Sequence, residues 1–350
     1  MTQSRPVLMT APSAPSYGGA TVVRGRRRLA IVLGAAVMIG GLFLPGVIGS
    51  TFYLGLLTDA VILGIAAMGI GFLMHQCGLV MFGVSAFVGL PAYLIAISIK
   101  QWNFTVTSAV ALAFCVTVAF ALLVGCLVVR ARPLPFAMLT LALAQMLKAT
   151  VTLQAMQPIT GGDDGMPLNF SGDFLGLSQV QLAAPASFWP VVWVALCIVT
   201  VAIFVAGRCS FGRKLRATKA NDERMRFSGF DTYTPRVLAF AFSCSIVAVS
   251  GVLLALHTAY TSPESLDFVA GGSSLLAMLI GGAAAVLGPL LGAILFASTQ
   301  IAFGATGHLE LLTGVAVVLV IGLFPKGLAG FIERACAAAV ARARRDRRAG

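Results

Sequence analysis

The chain has 350 residues, of which 59% are hydrophobic and only 10% charged, with a formal net charge of +12. A soluble protein of this length carries about 25% charged residues, so that class is excluded, and a mean hydropathy of +0.96 agrees. The apolar runs, such as LAIVLGAAVMIGGLFL at 29–44 and VALCIVTVAIFVA at 194–206, are unbroken rather than alternating, which excludes a β-barrel and leaves an all-α polytopic membrane protein.

The segment 1–28 is polar and carries five arginines. No small-residue cleavage site follows it, so Leu29 onward reads as a retained first span rather than a signal peptide. Further apolar blocks predict spans near 52–74, 79–99, 104–129, 133–156, 188–206 and 236–257, and a last one near 308–325, about eight full crossings in all. Basic residues cluster at 5–28, 130–132, 208–236 and 326–350, always beside an apolar block. That is the positive-inside pattern, and it accounts for the charge without nucleic acid. It makes 1–28 and 331–350 basic cytoplasmic tails around a transmembrane region at 29–330, within an inner (plasma) membrane. The external loop 157–187 carries Asp163, Asp164 and Asp173 and no basic residue, and the stretch 258–272 carries Glu264 and Asp267. Lys100 is the exception, a basic residue on the expected outer side.

Within the spans, Thr140 and Gln145 are polar positions on different sides of one helix. Either lines a path or bonds a neighbouring helix, the commoner use. Gly161, Gly162, Asp163 and Asp164 form an outer turn, read as a gate, a partner contact, or plain turn chemistry.

The cytoplasmic loop 207–235 interrupts this apolar chain with RKLRATKANDERMRFSGF at 213–230. Asn221 suits an N-cap, Asp222 and Glu223 suit the positive end of a helix, and Gly229 suits its stop, which predicts a short helix at 222–228. Asp222 and Arg226 stand at i, i+4 with the acid first, the favourable order. Met225, Phe227 and Phe230 are large apolar groups at a polar surface, fit for docking into a partner's groove. An ordinary solvated loop is the alternative.

The block 273–303 must cross an even number of times to keep the basic tail inside. As one helix its 31 residues would reach about 46 Å, well over a ~30 Å hydrocarbon core. GGAAAVLGPLLGA at 281–293 supplies a break, with Gly281 and Gly282 paired and Gly288 followed by Pro289. The expectation is a re-entrant pair of short helices meeting at depth, near a translocation path. A single kinked span is the alternative.

No phosphate-binding loop, zinc-protease pair or nucleophile elbow occurs, and the seven cysteines are scattered. His75, His257 and His308 lie far apart and read as helix-end or interface residues. The matches to glycosylation sites at Asn103 and Asn169 are too short to weigh. Asp59 is the one good intramembrane acid, the proton site a self-sufficient secondary transporter would need. Lys148 can snorkel toward water.

Several segments together resemble the permease subunit of branched-chain amino acid ABC importers, of the LivM type. They are GLVMFGVSAFVGLPAYLIA at 78–96, RARPLPFAMLTLALAQM at 130–146, TGGDDGMP at 160–167, SFGRKLRATKANDERMRFSGFD at 210–231, and the run from SPESLDF at 262–268 through the glycine break to FPKGLAGFIER at 324–334. The resemblance implies a non-enzymatic translocation subunit that binds no cofactor, ATP being used by its partners. Those partners are a homologous second permease, two ATPase subunits and an extracytoplasmic solute-binding protein. Residues Arg216, Asp222, Glu223, Arg224, Met225, Phe227 and Gly229 would couple to the ATPase. Gly78, Gly83, Ser85 and Phe87 would lie near the path, with Thr140, Gln145, Gly281, Gly282, Gly288 and Pro289. The family usually reads G-Q-L-S-L-G-H-A-A-F where this chain has Leu79, Met81 and Val84 in place of the polar residues, and Pro133 and Pro135 replace a glycine and an aromatic. The path is therefore expected to be more apolar, and urea, amides and aromatic acids join branched-chain amino acids as candidate solutes.

Overall fold

The computed structural model describes residues 50–169 and 176–304, with Phe174, residues 40–41 and 44–47, and the single positions Gly314, Gly327 and Gly330. The spans expected at 29–49 and 308–325 and both tails lie wholly or largely outside the described residues, as does Asp173. The chain divides into two units, Met1–Val47 and Ile48–Gly350. In the first, Leu44–Val47 form one helical turn.

Among its described residues the second unit is helical apart from turns, irregular links, one two-residue ladder and an isolated bridge between Phe174 and Leu177. Among the described residues six helices are long and apolar enough to cross a membrane: α1 (Thr51–Cys77), α2 (Val84–Trp102), α3 (Val106–Val128), α4 (Pro133–Thr152), α5 (Pro185–Arg208) and, after two short helices, α8 (Tyr233–Thr258). Their ends follow local chemistry. Pro133 and Pro185 occupy the first turns of α4 and α5, where a missing N–H costs nothing. Gly78 ends α1 in the left-handed conformation at φ 72°, its amide donating to Met74 O.

α1 and α8 are buried along most of their length and form the axis. Gly69 lets the backbones approach, and Ser243 Oγ donates to Gly69 O at 2.7 Å. One turn-pair further on, Ser250 Oγ donates to Ile62 O at 2.7 Å. Small residues and hydroxyls are what membrane helices use to associate, because lipid offers no hydrophobic drive between them. α3, α4 and α5 instead expose large apolar groups, among them Leu123, Leu127, Met138 and Ile198. So broad an apolar surface belongs against lipid, and the chain is a multi-pass membrane protein.

The two ends of the bundle differ in charge. At the basic end, Cys209 in extended conformation separates α5 from α6 (Ser210–Ala220), which is followed by α7 (Asp222–Phe227). At the acidic end, β1 (Met166–Pro167) pairs antiparallel with β2 (Tyr260–Thr261), so the two outer loops are joined. Tyr260 OH also donates to Asp164 O.

The block 273–303 breaks where the glycines stand. α9 (Phe268–Gly281) and α10 (Gly288–Gly304) form an antiparallel hairpin, with Gly292 seated against Gly281. The hairpin's tip differs from the expectation in depth. Gly71, near the end of α1, lies against Pro289 and Ala283, and the turn adjoins Met74, His75 and Lys219. The two helices therefore meet at the basic end rather than halfway along the bundle. Small residues from Gly281 to Ala285 allow that descent, since nothing bulky stops the tip from packing against the end of α1.

Candidate functional site: a central cavity and a basic-end helix pair

A cavity of about 750 Å³ opens between α1, α2, α8 and the α9–α10 hairpin. Its polar lining includes Asp59, Ser85, Ser250, Ser273, Ser274 and Gln300, and its apolar lining Ile62, Leu63, Val88, Leu254 and Phe296. Asp59 is the one charged residue among those described there. Its carboxylate lies 3.7 Å from His257 Nε2 and is 59% exposed. His257 stacks on Phe188 with ring centroids 5.2 Å apart. It is an interface residue, as expected of it.

The residues expected near a path separate into distinct places. Ser85 lines the cavity. Gly78 sits at the basic end, where an added Cβ would stand 3.3 Å from the Lys219 side chain. Phe87 is fully buried in an aromatic core with Phe240 and, beyond it, Phe136. Thr140 is also fully buried. Its Oγ1 accepts from the amides of Phe82 and Gly83 at 3.3 and 3.4 Å, so it holds the two residues that lead into α2, the hydrogen-bonding use weighed for it. Gly83 permits this by packing directly on the α4 backbone at Thr140. Gln145 is exposed near Asp267, at the acidic end. Gly281 and Gly288 pack against each other inside the hairpin. Gly282 lines a small cavity beside Lys219, and Pro289 lines another, of about 240 Å³, with Gln76, Arg208 and Arg216.

At the acidic end Lys148 Nζ lies 3.0 Å from Asp267 Oδ2. The Lys148 hydrogen bond, with the Phe268 amide, holds the Asp267 carboxyl below the ordinary carboxylate range. Gly161 and Gly162 take left-handed φ values of 77° and 62° ahead of a 3-10 turn at Gly162–Asp164, leaving Asp163 and Asp164 exposed.

The basic-end helices carry the remaining expected residues. Asn221 Oδ1 accepts from the Arg224 amide at 2.9 Å, the N-cap read from sequence. Asp222 pairs with Arg226 at 3.1 Å and also with Arg236 at 3.4 Å, which ties α7 to the start of α8. Gly229 has φ 79° and follows the helix as its stop. Glu223 and Arg224 are exposed, Met225 is half-buried, and Phe227 is 91% exposed. Beside them, Phe211, Met225, Phe230 and Leu238 line a groove of about 330 Å³.

α6 was not read from the sequence. It is held by Leu215, fully buried, and by Lys219, whose Nζ donates to Met74 O and His75 O at 3.0 Å each. The cavity serines Ser250, Ser273 and Ser274 were missed as well. Their one sequence signal is that they interrupt apolar runs, which does not separate path residues from helix-packing ones.

A family model described as branched-chain amino acid transport system / permease component matches residues 52–324. The chain is 24% identical over 206 residues to the high-affinity branched-chain amino acid transport system permease protein LivH of Salmonella typhimurium, covering 57% of this chain and 67% of the relative. It is 24% identical over 285 residues to the corresponding protein LivM of Escherichia coli, covering 75% of this chain and 67% of the relative. It is also 33% identical over 105 residues to the xylose transport system permease protein XylH of Escherichia coli, covering 27% of this chain and 26% of the relative. No solved structure matches the chain.

Proposed function

The chain belongs to the family of branched-chain amino acid transport system permease components, and on that premise we propose that it moves branched-chain amino acids or related small solutes as the membrane subunit of an ATP-binding-cassette importer. The basic end faces the cytoplasm of a cell bounded by this inner membrane, and both tails lie there. A second, homologous permease completes the membrane part, which fits the likeness to both LivH and LivM. Two ATPase subunits dock at α6 and α7 and hydrolyse the ATP; this chain binds no cofactor of its own. A solute-binding protein delivers the ligand at the acidic end.

One observation carries the coupling role: Phe227 is 91% exposed on a capped, ion-paired helix whose neighbour α6 is bonded to the end of α1. A large apolar group held rigidly at a polar surface fits a partner's groove. Closure of the ATPases would move α6, and α6 would move α1 and the hairpin tip beside it, changing access to the cavity.

The test is reconstitution in vesicles. With ATPases, second permease, binding protein and ATP, L-leucine accumulates inside; with this chain alone it does not. Uphill accumulation by the chain alone would overturn the reading.

A further inference from the structure

The geometry points to a carboxylate-recognising subsite at the buried end of the large cavity, formed by Ser85 at the positive start of α2, which accepts a zwitterionic amino acid. This rests on the reading of the chain as an amino acid permease. The helix does not start in solvent. Residues 78–83 form an irregular, buried to half-buried link from the basic end, so that α2 begins within the protein. Thr140 Oγ1 occupies the amides of Phe82 and Gly83. The amides of Val84, Ser85 and Ala86 have no helical acceptor upstream, and they carry the positive end of a 19-residue helix. A helix start of this kind holds an anion through neutral donors.

The second observation is independent of the helix. Ser85 is fully buried, lines the cavity, and its Oγ has no hydrogen-bond partner. A buried hydroxyl without a partner is costly, and natural proteins leave few of them. The neighbouring cavity hydroxyl of Ser250 is by contrast spent on Ile62 O. Gly271 of α9 keeps the approach narrow but free of side chain: an added Cβ would stand 2.9 Å from Ser85 N and 3.3 Å from Ser85 Oγ.

The rest of the lining selects the kind of solute. No cation lines the cavity among the described residues, and Asp59 contributes a carboxylate toward its exposed end. A solute that is only an anion is repelled there, whereas a zwitterion carries no net charge past it. Val88, Ile62, Leu63 and Phe296 offer an apolar wall to a branched side chain. Leu79, Met81 and Val84 do not compete for the carboxylate, so the departures from the usual polar pattern leave Ser85 as the donor.

The membrane complex of both permeases and the two ATPases, purified in detergent without the solute-binding protein, is the material for the binding test, with L-leucine and isopentylamine as probes. Isopentylamine has the same carbon skeleton and ammonium group without the carboxylate. The wild-type complex should bind L-leucine at least about tenfold more tightly than the amine. Ser85→Ala should cost L-leucine about tenfold and leave isopentylamine within about twofold, while Ser85→Thr, which keeps the hydroxyl, retains the preference. In vesicles Ser85→Ala should lower ATP-driven L-leucine uptake about tenfold with ATP hydrolysis within about twofold of wild type. An unchanged preference in Ser85→Ala, equal binding of both probes by the wild type, binding of neither, or parallel loss of uptake and ATP hydrolysis would each overturn the subsite. Failure of the wild-type vesicles to accumulate L-leucine would instead remove the premise, the amino acid permease itself.

Discussion

Lys219 Nζ stands 3.0 Å from the carbonyl oxygen of Met74, and equally close to that of His75, so a cation from the basic-end helix α6 caps the last turn of the axial helix α1. The last carbonyls of a helix lack intrahelical donors and carry its negative end, so an ammonium there is doubly suited. The two partners are 145 residues apart in sequence. This bond ties the proposed docking surface directly to a helix that lines the cavity.

Lys219→Met keeps the stem that packs on Gly78 and removes only the donor. Uptake by the complete importer should fall at least about fivefold, with the complex still assembled, because a charged hydrogen bond contributes about 1.5–3 kcal/mol. Size-exclusion chromatography with ATPase and uptake assays on one preparation checks this; unimpaired uptake would show that α6 acts on α1 by some other contact.

Phe227→Ser tests the docking surface. The side chain is 91% exposed and supports nothing within the chain, so thermal stability of the isolated subunit should change by less than about 0.5 kcal/mol. Capture of the ATPase subunits should nevertheless weaken by about tenfold or more, as for a central apolar anchor. Asp222→Arg is the poorer probe, because Asp222 also ties α7 to Arg236 and its reversal disturbs the fold of the loop.

Thr140→Val removes the hydroxyl that holds Phe82 and Gly83 while keeping side-chain volume. The loss should be about 1–2 kcal/mol, seen as a lower Tm of the purified subunit, and Thr140→Ser should restore most of it. Gly83→Ala should prevent stable folding, since its Cβ would enter the α4 backbone at Thr140.

What was legible in the sequence was what neighbouring residues decide among themselves. The cap at Asn221, the Asp222–Arg226 pair, the stop at Gly229 and the break before Pro289 all rest on local spacing. The depth of the hairpin tip was not legible, because it depends on Gly71 of α1 leaving room for Pro289. α6 was hidden for a related reason: SFGRKLRATKA reads as a charged loop until Leu215 is seen buried and Lys219 is seen to reach α1. Thr140 was visible as a polar residue in a span, but its partners lie 57 and 58 residues away. Of the cavity only Asp59 and Ser85 were singled out in the sequence, since Ser250 lies on α8 and Ser273 and Ser274 on α9, with no spacing that joins them.

The Lys148–Asp267 pair joins α4 to the start of α9 at the acidic end, and its pH response follows from the lowered Asp267 pKa. A carboxyl held below its unfolded value of about 3.9 contributes fully above that pH and loses its contribution as pH falls through the lowered folded value. Wild type and Lys148→Met should therefore show parallel Tm profiles from about pH 5 to 8, converging only below about pH 4. The offset should stay under about 1 kcal/mol, because both side chains are about a third exposed. Convergence near neutral pH would mean that the pair titrates through another group.

Asp59→Asn separates the importer from a self-sufficient secondary transporter. A proton-coupled carrier needs an acid that loads and unloads during the cycle, and Asp59 is the residue that would serve. In the structure it is 59% exposed to the cavity and 3.7 Å from His257. Such a carboxylate shapes the charge of an entrance without having to change protonation. With ATPases and ATP supplied, Asp59→Asn should keep L-leucine uptake within about threefold of wild type, the small change expected from losing one long, partly exposed pair. Dissipating the proton gradient with an uncoupler should leave that uptake unaltered. Abolition of uptake by either treatment would put the energy source within this chain and remove the need for α6 and α7 to grip an ATPase.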